Sequence, residues 1–561
     1  MQESPSRAGM FSDSSPGGRF IRNGITLLSG VDPESRCERI ADAVSVRERT
    51  LFFCPSPLYG YGLDRFCSRL EKEAPSSAVL CIEADPELYE LAIKHITSLS
   101  LSGGKLRVTN ITDTQALYSF VRDTWGARAF RRIEMLKLTG GWQLFPEIYN
   151  SLHEALKCEV ATDWGNAMTL AKLGRLYIRN MFKNLCLLQR FSFITDISFG
   201  ETPVLVLGAG PSLDQILDAL TLHFSKSLYS PCDRPFRIVC ADTCLGSLKD
   251  RNIKPDLVVI LESQHWNLRD FTGCKGWDVK CAVDFSALPQ SADVLALNGF
   301  IFFTPWTNLS VFERMKSLGL LPSFMPPLGS VGLTSVELAR RVSRGKIICA
   351  GLDFSFSEDS YHARSTPGHK NFINMQNRFK GIVNAAAFAH GAYRAVSKTG
   401  TTVYSSPVMR RYRDLFEQEF GNDSRIFDIE GSGLPLGVKT LSREKACEYL
   451  SQRQECAECA PESGGRENLS LSAITNFRIT EKKRLEELKS ILSGETAPGK
   501  ERLKTLIDEC DYLWAHFPDY SGGLRPELDE DKSGALSFLK RVRAEIDPMI
   551  RTLDFSLKDI F

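Results

Sequence analysis

Short runs of apolar residues, separated by segments of helical periodicity, dominate the middle of the chain. The apolar runs are Val204–Leu207, Ile238–Ala241, Leu257–Leu261, Cys281–Val283, Phe300–Phe303 and Ile347–Ala350. Fully apolar runs are typical of strands in a sheet that is covered on both faces. Because a helix or loop separates each run from the next, the pattern predicts parallel strands joined by crossover connections. We therefore predict an α/β fold with a Rossmann-like, doubly wound central domain over residues 201–442.

A smaller unit of the same kind precedes the central domain, over residues 21–141. The apolar runs Leu51–Cys54 and Ala78–Ile82 predict two strands, and the second ends at Glu83. The turn after the first strand, Pro55–Gly62, contains two prolines, which have no N–H group to offer a phosphate. The sequence therefore predicts a degenerate Rossmann-like N-terminal domain and favours a structural role for it over cofactor binding.

The remaining segments are predicted to be helical or irregular. Residues 1–20 are rich in Ser, Gly and Pro and predict a disordered lead, and residues 142–200 have the apolar spacing of a helical connector. Residues 443–469 are predicted to form a polar linker. Amphipathic stripes over residues 470–561 predict an α-helical C-terminal region. These helices either form a bundle for homo-oligomers or partners, or cap the central domain, and the sequence leaves both alternatives open.

Composition narrows the class of protein. The chain has 561 residues and a formal net charge of +1, which gives no overall attraction to nucleic acid or to anionic membranes. No apolar run approaches the roughly 20 residues that cross a bilayer. The N-terminus lacks the apolar segment of a secretory signal, so we expect a cytoplasmic protein whose 16 cysteines are reduced. The one CxxC pair, Cys456 and Cys459, has no second pair at zinc spacing, and we predict no metal site.

One turn of the central domain has the composition of an anion-binding site. Gly208-Ala209-Gly210-Pro211-Ser212 directly follows the first predicted strand and opens a helical stretch. Glycines let a ligand approach the backbone, proline suits a first helical turn, and a helix start offers N–H groups with a partial positive charge. The pattern lacks the final glycine of a dinucleotide fingerprint and the lysine of a Walker A loop. It predicts a phosphate site, with a tight structural turn as the alternative.

Polar residues follow the next two predicted strands at the same edge of the sheet. Asp242 and Thr243 follow the second strand, and Glu262 follows the third. Because parallel strands end at one common edge, we expect these residues beside the phosphate turn, where a carboxylate can hold ribose hydroxyl groups. The alternatives are that Asp242 caps a helix and that Glu262 is a solvated acid.

The last part of the central domain supplies the candidates for acid–base chemistry. Gly329 and Ser330 precede a predicted helix and form a second glycine-containing helix start, suited to a nucleotide base or phosphate. Asp353 follows the last strand, and His362 lies in a polar loop beyond it. An imidazole titrates near neutral pH, so His362 is predicted to be a general acid or base. An ordinary surface histidine is the alternative.

These segments occur in the order that is found in the motility accessory factor family. That family shares its central domain with archaeal MptE-like 6-hydroxymethylpterin diphosphokinases. The sequence resembles the family at Gly208–Leu213, Ala241–Thr243, Ile253–Asp256, Gly329–Val331, Gly351–Ser355 and Tyr361–Ala363, and the N-terminal domain resembles it at Ser29–Pro33 and Ile82–Leu88. The chain departs from the family at Glu262, where members commonly carry an aspartate.

The resemblance implies a glycosyltransferase that moves a nonulosonic acid, a sialic-acid-like sugar, from a CMP-sugar to Ser or Thr of flagellin. It implies that the CMP phosphate contacts Gly208, Gly210 and Ser212 at the turn that also holds Pro211. The ribose would then lie near Asp242 and Thr243, and the base near Gly329 and Ser330. His362 or Asp353 would accept the proton of the attacking hydroxyl. No metal is required, because CMP carries a single phosphate.

Two other functions stay open at this point. ATP-dependent diphosphate transfer to a pterin, as in the archaeal relatives, would need Mg²⁺ held by carboxylates such as Asp242, Glu262 or Asp353. A flagellin-binding assembly factor without catalysis is the other alternative. Under the favoured function the partners are a nucleotide-sugar and flagellin or another flagellar protein.

Overall fold

The computed structural model describes residues 20–96, 104–126, 129–295, 299–379, 381, 391–452, 471–495, 500–518, 528 and 533–554. The predicted N-terminal lead, the linker and the CxxC pair fall largely or wholly outside these residues. The chain divides into two compact units. The first comprises Met1–Lys172 and Phe517–Leu524, and the second comprises Leu173–His516 and Arg525–Phe561.

The first unit contains a four-stranded parallel sheet with strand order β5-β4-β3-β6. Its elements are β1 (Phe20–Arg22), β2 (Ile25–Leu28), α1 (Pro33–Ala43), β3 (Thr50–Pro55), α2 (Leu63–Glu73), β4 (Ala78–Ile82), α3 (Pro86–Ile96), β5 (Leu106–Thr109), α4 (Thr114–Trp125), β6 (Arg132–Met135) and the start of α5 (Pro146–Asn184). Strands β1 and β2 form a separate antiparallel hairpin. The predicted Rossmann-like N-terminal fold is confirmed.

At the turn after β3, polar side chains of the unit are hydrogen-bonded to one another. Glu83, which directly follows β4, is buried and accepts hydrogen bonds from Ser56 Oγ at 2.7 Å and from Tyr149 OH at 3.0 Å. Ser56 and Leu58 hold positive φ angles of 47° and 51° without being glycine. The carboxylate that would hold a ribose in a Rossmann fold is thus engaged inside the unit, as expected for a structural domain.

The second unit is built on a ten-stranded sheet with strand order β13-β12-β11-β10-β9-β8-β14-β17-β18, and β7 also pairs with β12. All described strand pairs within this sheet are parallel. The strands are β7 (Phe191–Phe193), β8 (Val204–Leu207), β9 (Arg237–Ala241), β10 (Leu257–Ile260), β11 (Cys281–Asp284), β12 (Gly299–Phe303), β13 (Ser323–Phe324), β14 (Ile347–Ala350), β17 (Ile426–Ile429) and β18 (Lys439–Leu441). A hairpin of β15 (Tyr393–Val396) and β16 (Thr402–Ser405) lies outside the sheet.

Helices connect and cover this sheet. They are α6 (Leu213–Phe224), α7 (Leu245–Asp250), α8 (Pro289–Leu295), α9 (Ser310–Ser317), α10 (Val331–Val342), α11 (Pro367–Met375), α12 (Pro407–Phe420), α13 (Arg443–Ser451), α14 (Leu471–Leu492), α15 (Lys500–Glu509) and α16 (Ser533–Leu553). The sheet core joins strand residues such as Val206 and Val259 to Leu333 and Val336 of α10. Among the described residues, no helix is both long and apolar enough to span a bilayer.

The strand order reverses at one place, between β8 and β14. From β8 the chain adds β9 to β13 on one side, then returns to add β14 and β17 on the other. This is the doubly wound arrangement, and the predicted fold class is confirmed. In such sheets a crevice opens at the carboxyl ends of the two strands that flank the reversal. Here these are the turns after β8 and β14.

The C-terminal helices pack on the central domain through buried charges. The Arg314 guanidinium of α9 binds both carboxylate oxygens of Glu481 on α14, at 2.8 and 3.0 Å, and Glu481 is 1% exposed. Arg484 Nη1 donates to the same carboxylate at 2.6 Å. Asp511 accepts hydrogen bonds from both the backbone N and Oγ of Ser310, at 2.7 and 3.0 Å, at the start of α9. The predicted α-helical C-terminal region is confirmed, and its helices cap the central domain.

Candidate functional site

The turns after β8 and β14 touch each other through their backbones. The Gly210 N–H donates to the carbonyl oxygen of Gly351 at 2.8 Å. A Cβ atom on Gly208 would lie 2.5 Å from that oxygen, and one on Gly210 would lie 2.5 Å from Asp353 Oδ2. Both positions therefore need glycine because of close approach between the two turns. The sequence analysis explained these glycines by the close approach of a ligand. In the structure it is the turn after β14 that approaches them closely.

Asp353 binds the N-terminal turn of α6. Its Oδ2 accepts the backbone N–H of Ser212 at 2.7 Å, and its Oδ1 accepts the Ser212 hydroxyl at 2.6 Å. Both residues are almost fully buried, Asp353 being 1% and Ser212 2% exposed. Burial raises the pKa of Asp353, while nearby Lys398 and the Ser212 hydrogen bonds act in the opposite direction. The carboxylate thus takes the position at the helix start where an anion is most stable, directly after Pro211.

A second buried acid lies on the next strand, paired with a lysine that the sequence analysis missed. Lys398, in the β15–β16 turn, binds both carboxylate oxygens of Asp428 on β17, at 2.7 and 2.6 Å. Their side chains are 5% and 3% exposed. Burial raises the pKa of Asp428 to about 6, with Lys398 opposing the rise and Asp353 adding to it. The local sequence around Lys398 is that of an ordinary polar turn, so only the fold reveals this pair.

The loop that carries His362 is fastened to the β8 turn and to α6. The Ala363 N–H donates to the Ala209 carbonyl at 3.0 Å, and the Arg364 N–H donates to Asp214 Oδ2 at 2.8 Å. Burial lowers the pKa of the His362 imidazole, and the neighbouring backbone of Ala209 opposes this fall. The structure therefore holds a neutral, partly buried imidazole beside the Gly208–Ser212 turn, rather than on an open surface loop.

Acidic side chains lie at or just after the carboxyl ends of the neighbouring strands β9, β10 and β11. Asp242 accepts hydrogen bonds from the Thr243 N–H at 2.8 Å and from Asn267 Nδ2 at 2.7 Å. Glu262 is partly buried, and its Oε1 accepts the Gln264 N–H at 2.9 Å. Strand β11 adds a buried acid that the sequence analysis missed, Asp284, which accepts the Ser286 N–H at 2.8 Å. The signal for Asp284 was available, because it follows the apolar run Cys281–Val283 as Asp242 follows its own run.

The Asp242 cluster gives a pH-dependent stability with a defined sign. Burial raises the pKa of Asp242 from 3.8 to about 7, and the charges of Asp270 and Glu262 add to the rise while Asn267 opposes it. Burial also raises the pKa of Asp270 to about 6. As the pH rises, the unfolded chain loses these protons at a lower pH than the folded chain does. The stability contributed by protonated Asp242 is therefore complete below about pH 4 and is lost as the pH rises to 7.

We therefore expect the free energy of unfolding to fall by on the order of 2–4 kcal/mol between pH 4 and pH 7 through Asp242 alone. Urea titrations at several pH values should show a smaller fall for Asp242→Asn than for the wild type. Asp250→Asn, which removes an exposed aspartate of α7, is the control and should keep the wild-type dependence. Parallel curves for the wild type and Asp242→Asn would contradict this assignment.

Gly329 and Ser330 lie at the start of α10, as predicted. Gly329 has a φ of 69° and is exposed, and Ser330 is the N-cap residue in extended conformation. At the second residue of the helix, a Cβ atom on Gly332 would lie 2.6 Å from Leu352 Cδ2, in the turn after β14. The helix start therefore packs against the same turn that carries Asp353. Among the described residues, no three His, Cys, Asp or Glu side chains are grouped so as to hold a metal ion.

Residues 177–359 match the family model described as 6-hydroxymethylpterin diphosphokinase MptE-like. The predicted family resemblance is confirmed. The matched segment runs from the second half of α5 past β14 and includes Ser212, Asp242, Gly329 and Asp353. It ends before His362, which the family model therefore does not cover.

Two relatives and one solved structure extend the comparison. An uncharacterized protein of Treponema pallidum (strain Nichols) is 28% identical over 561 residues, which cover 95% of this chain and 94% of the relative. Another uncharacterized protein of that strain is 30% identical over 100 residues, 18% of this chain and 46% of the relative. The MAf glycosyltransferase from Magnetospirillum magneticum AMB-1 has a similar fold, with a TM-score of 0.50 at 14% identity over 97% of this chain and 91% of that one.

Proposed function

We propose that this protein is a glycosyltransferase that moves a nonulosonic acid from a CMP-sugar to Ser or Thr hydroxyl groups of flagellin, in the cytoplasm. The observation that carries the proposal is the position of the His362 loop, which the hydrogen bond from the Ala363 N–H to the Ala209 carbonyl fastens beside the Gly208–Ser212 turn at the strand-order reversal. A crevice at such a reversal is where doubly wound folds bind nucleotides. The fold shared with the MAf glycosyltransferase supports the transferase class.

His362 is the proton acceptor in this proposal. In a neutral imidazole one ring nitrogen carries the proton, and the other is free to act as the base. Because the pKa of His362 is lowered, that nitrogen is unprotonated at neutral pH. It takes the proton of the Ser or Thr hydroxyl as the oxygen attacks the anomeric carbon of the sugar. The bond from that carbon to the CMP phosphate oxygen breaks, and CMP leaves with the electron pair.

The phosphate of CMP is proposed to bind beside the Gly208–Ser212 turn, with Asp242 and Thr243 toward the ribose and Gly329 and Ser330 toward the base. Asp353 already accepts the Ser212 N–H and hydroxyl. A phosphate that used those two donors would have to displace a carboxylate. We therefore propose that Asp353 positions the turn and that the phosphate meets its outer face. The leaving phosphate is then stabilised by the positive end of α6.

The match to the MptE-like family model supports diphosphate transfer to a pterin as a second candidate function. That reaction uses Mg²⁺ between carboxylates and a triphosphate. Asp353 is engaged by Ser212, and Asp242 by Thr243 and Asn267, so these carboxylates do not fit a magnesium site as they stand.

Ligand binding and transfer test the proposal together. We expect CMP and CMP-nonulosonic acids to raise the melting temperature of the full chain, because ligands of the native state stabilise it. ATP with Mg²⁺ is expected to have no such effect. Incubation with a CMP-nonulosonic acid and flagellin should add the sugar mass to flagellin, as measured by intact-protein mass spectrometry. Stabilisation by ATP with Mg²⁺ alone would favour the diphosphokinase, and binding of neither nucleotide would favour a non-catalytic flagellin-binding factor.

A further inference from the structure

A long segment beside the candidate site contains no acidic residue. Residues 360–413 include nine Lys and Arg residues and no Asp or Glu, whereas the whole chain has a formal net charge of only +1. The segment comprises the His362 loop, α11, β15, β16 and the first half of α12. A concentration of one sign of charge next to a crevice raises the local concentration of ligands of the opposite sign. The segment is therefore suited to an anionic ligand.

The backbone of one cation in this segment, Arg364, is fixed at the candidate site. Its N–H donates to Asp214 Oδ2, in the first turn of α6, at 2.8 Å. Its carbonyl oxygen accepts the hydroxyl hydrogen bond of Ser247 in α7. Arg364 is thus held between two helices that begin at the carboxyl edge of the sheet, two residues after His362 and beside the Gly208–Ser212 turn.

The side chain of Arg364, in contrast, is not engaged by a carboxylate. Asp214 gives its other oxygen to Arg251, at 3.0 Å. Lys398 is buried and binds both oxygens of Asp428. Arg364 is exposed and forms no ion pair with the residues that the structure describes. Its guanidinium group can therefore bind an anion of a ligand without first breaking an internal salt bridge.

The proposed donor needs such a cation. Asp242, Glu262 and Asp353 lie at or just after the carboxyl ends of their strands, and their carboxyl groups do not attract an anion. A CMP-nonulosonic acid carries one negative charge on its phosphate and another on the carboxylate of its sugar. The start of α6 offers partial positive charge to the phosphate. The sugar carboxylate needs a partner of its own, and a guanidinium group binds a carboxylate through two parallel hydrogen bonds.

We infer that Arg364 binds the carboxylate of the nonulosonic acid and so selects donors with an acidic sugar. This inference rests on the proposed function, because it assigns Arg364 to the donor of the same reaction. In a nonulosonic acid the carboxylate is attached to the anomeric carbon itself. The residue that binds it must therefore lie close to the group that deprotonates the attacking hydroxyl. Arg364 meets this requirement, since it lies two residues from His362 on the same fixed loop.

Two kinds of ligand separate the carboxylate from the phosphate. CMP-pseudaminic, CMP-legionaminic and CMP-N-acetylneuraminic acids carry both groups, and CMP carries only the phosphate. In isothermal titration of the full chain, we expect Arg364→Gln to weaken the CMP-sugar that the wild type binds most tightly by about 10–100-fold, the effect of losing a charge-assisted contact. The affinity for CMP should stay near the wild-type value. Arg364→Lys should restore part of the loss, because it keeps the charge without the fork of donors.

Arg394→Gln is the matched control, because it removes another exposed arginine of the same segment, on β15. At about 0.15 M salt, exposed charges more than about 8 Å apart are largely screened, so this variant should bind both ligands as the wild type does. Equal losses in the two Gln variants would indicate a general field and contradict a contact by Arg364. Equal losses for CMP and the CMP-sugar would assign Arg364 to the phosphate instead, and unchanged binding by Arg364→Gln would also overturn the inference. A wild type that binds none of these ligands would refute the proposed function itself.

Discussion

Replacing His362 by glutamine is expected to lower the kcat for sugar transfer by about 10²–10⁴-fold, the usual contribution of a general base. Glutamine is polar and uncharged, like the neutral imidazole, but has no group that accepts a proton at neutral pH. Because the pKa of His362 is lowered by burial, the wild-type kcat/KM should rise with pH through a value below 6.5 and then level off. The pH profile of His362→Gln should lack this limb.

The control is His223→Gln, which changes the histidine near the other end of α6, where the ring contacts Ser451 Oγ at 3.3 Å. We expect its kcat and its CMP affinity to stay at the wild-type level. Isothermal titration of CMP should give nearly the same affinity for His362→Gln as for the wild type, since the base acts on the acceptor hydroxyl. A His362→Gln variant with an unchanged kcat would show that another group takes the proton.

Much of the central sheet follows from the apolar pattern alone. Runs such as Val204–Leu207 and Ile347–Ala350 form buried strands at the predicted positions, because parallel strands covered on both faces must be continuously apolar. Strands β17 and β18 escaped the prediction for the converse reason. β17 carries Asp428 in its middle, and β18 is only Lys439–Leu441, with two exposed residues. A buried acid is compatible with a strand only when a partner such as Lys398 exists, and that partner is invisible in the local pattern.

The candidate site likewise combines features that the local sequence predicts with contacts that it does not predict. The strand-end rule brings Asp242, Glu262 and Asp353 to one edge, and the glycine turn brings the start of α6 to it. The rule does not say that Asp353 is bonded to Ser212, a contact across 141 residues of sequence. That contact depends on the depth at which the turns after β8 and β14 meet, which is set by the absence of Cβ atoms at Gly208 and Gly210. The proposed roles of these residues stay predictions.

Neutralising Glu481 is expected to destabilise the second unit by about 3–5 kcal/mol, the largest stability effect that we foresee for a single charge. Glu481 is 1% exposed and accepts hydrogen bonds from Arg314 of α9 and from Arg484 of its own helix α14. Glu481→Gln keeps the shape of the side chain but leaves two arginines without their shared carboxylate. Because Arg314 belongs to the central domain, the C-terminal helices should detach early, as measured by urea unfolding and by limited proteolysis of α14 to α16.

Glu487→Gln on the same helix is the matched control. Glu487 also binds an arginine through two hydrogen bonds, at 2.7 and 2.6 Å to Arg502, but the two side chains are 42% and 48% exposed. Water screens a pair of this kind, so its loss should cost no more than about 1 kcal/mol. The two variants remove the same charge from the same helix, and they differ in burial and in the partner's domain. Equal losses of stability would mean that the buried ion pairs do not hold the helical cap on the central domain.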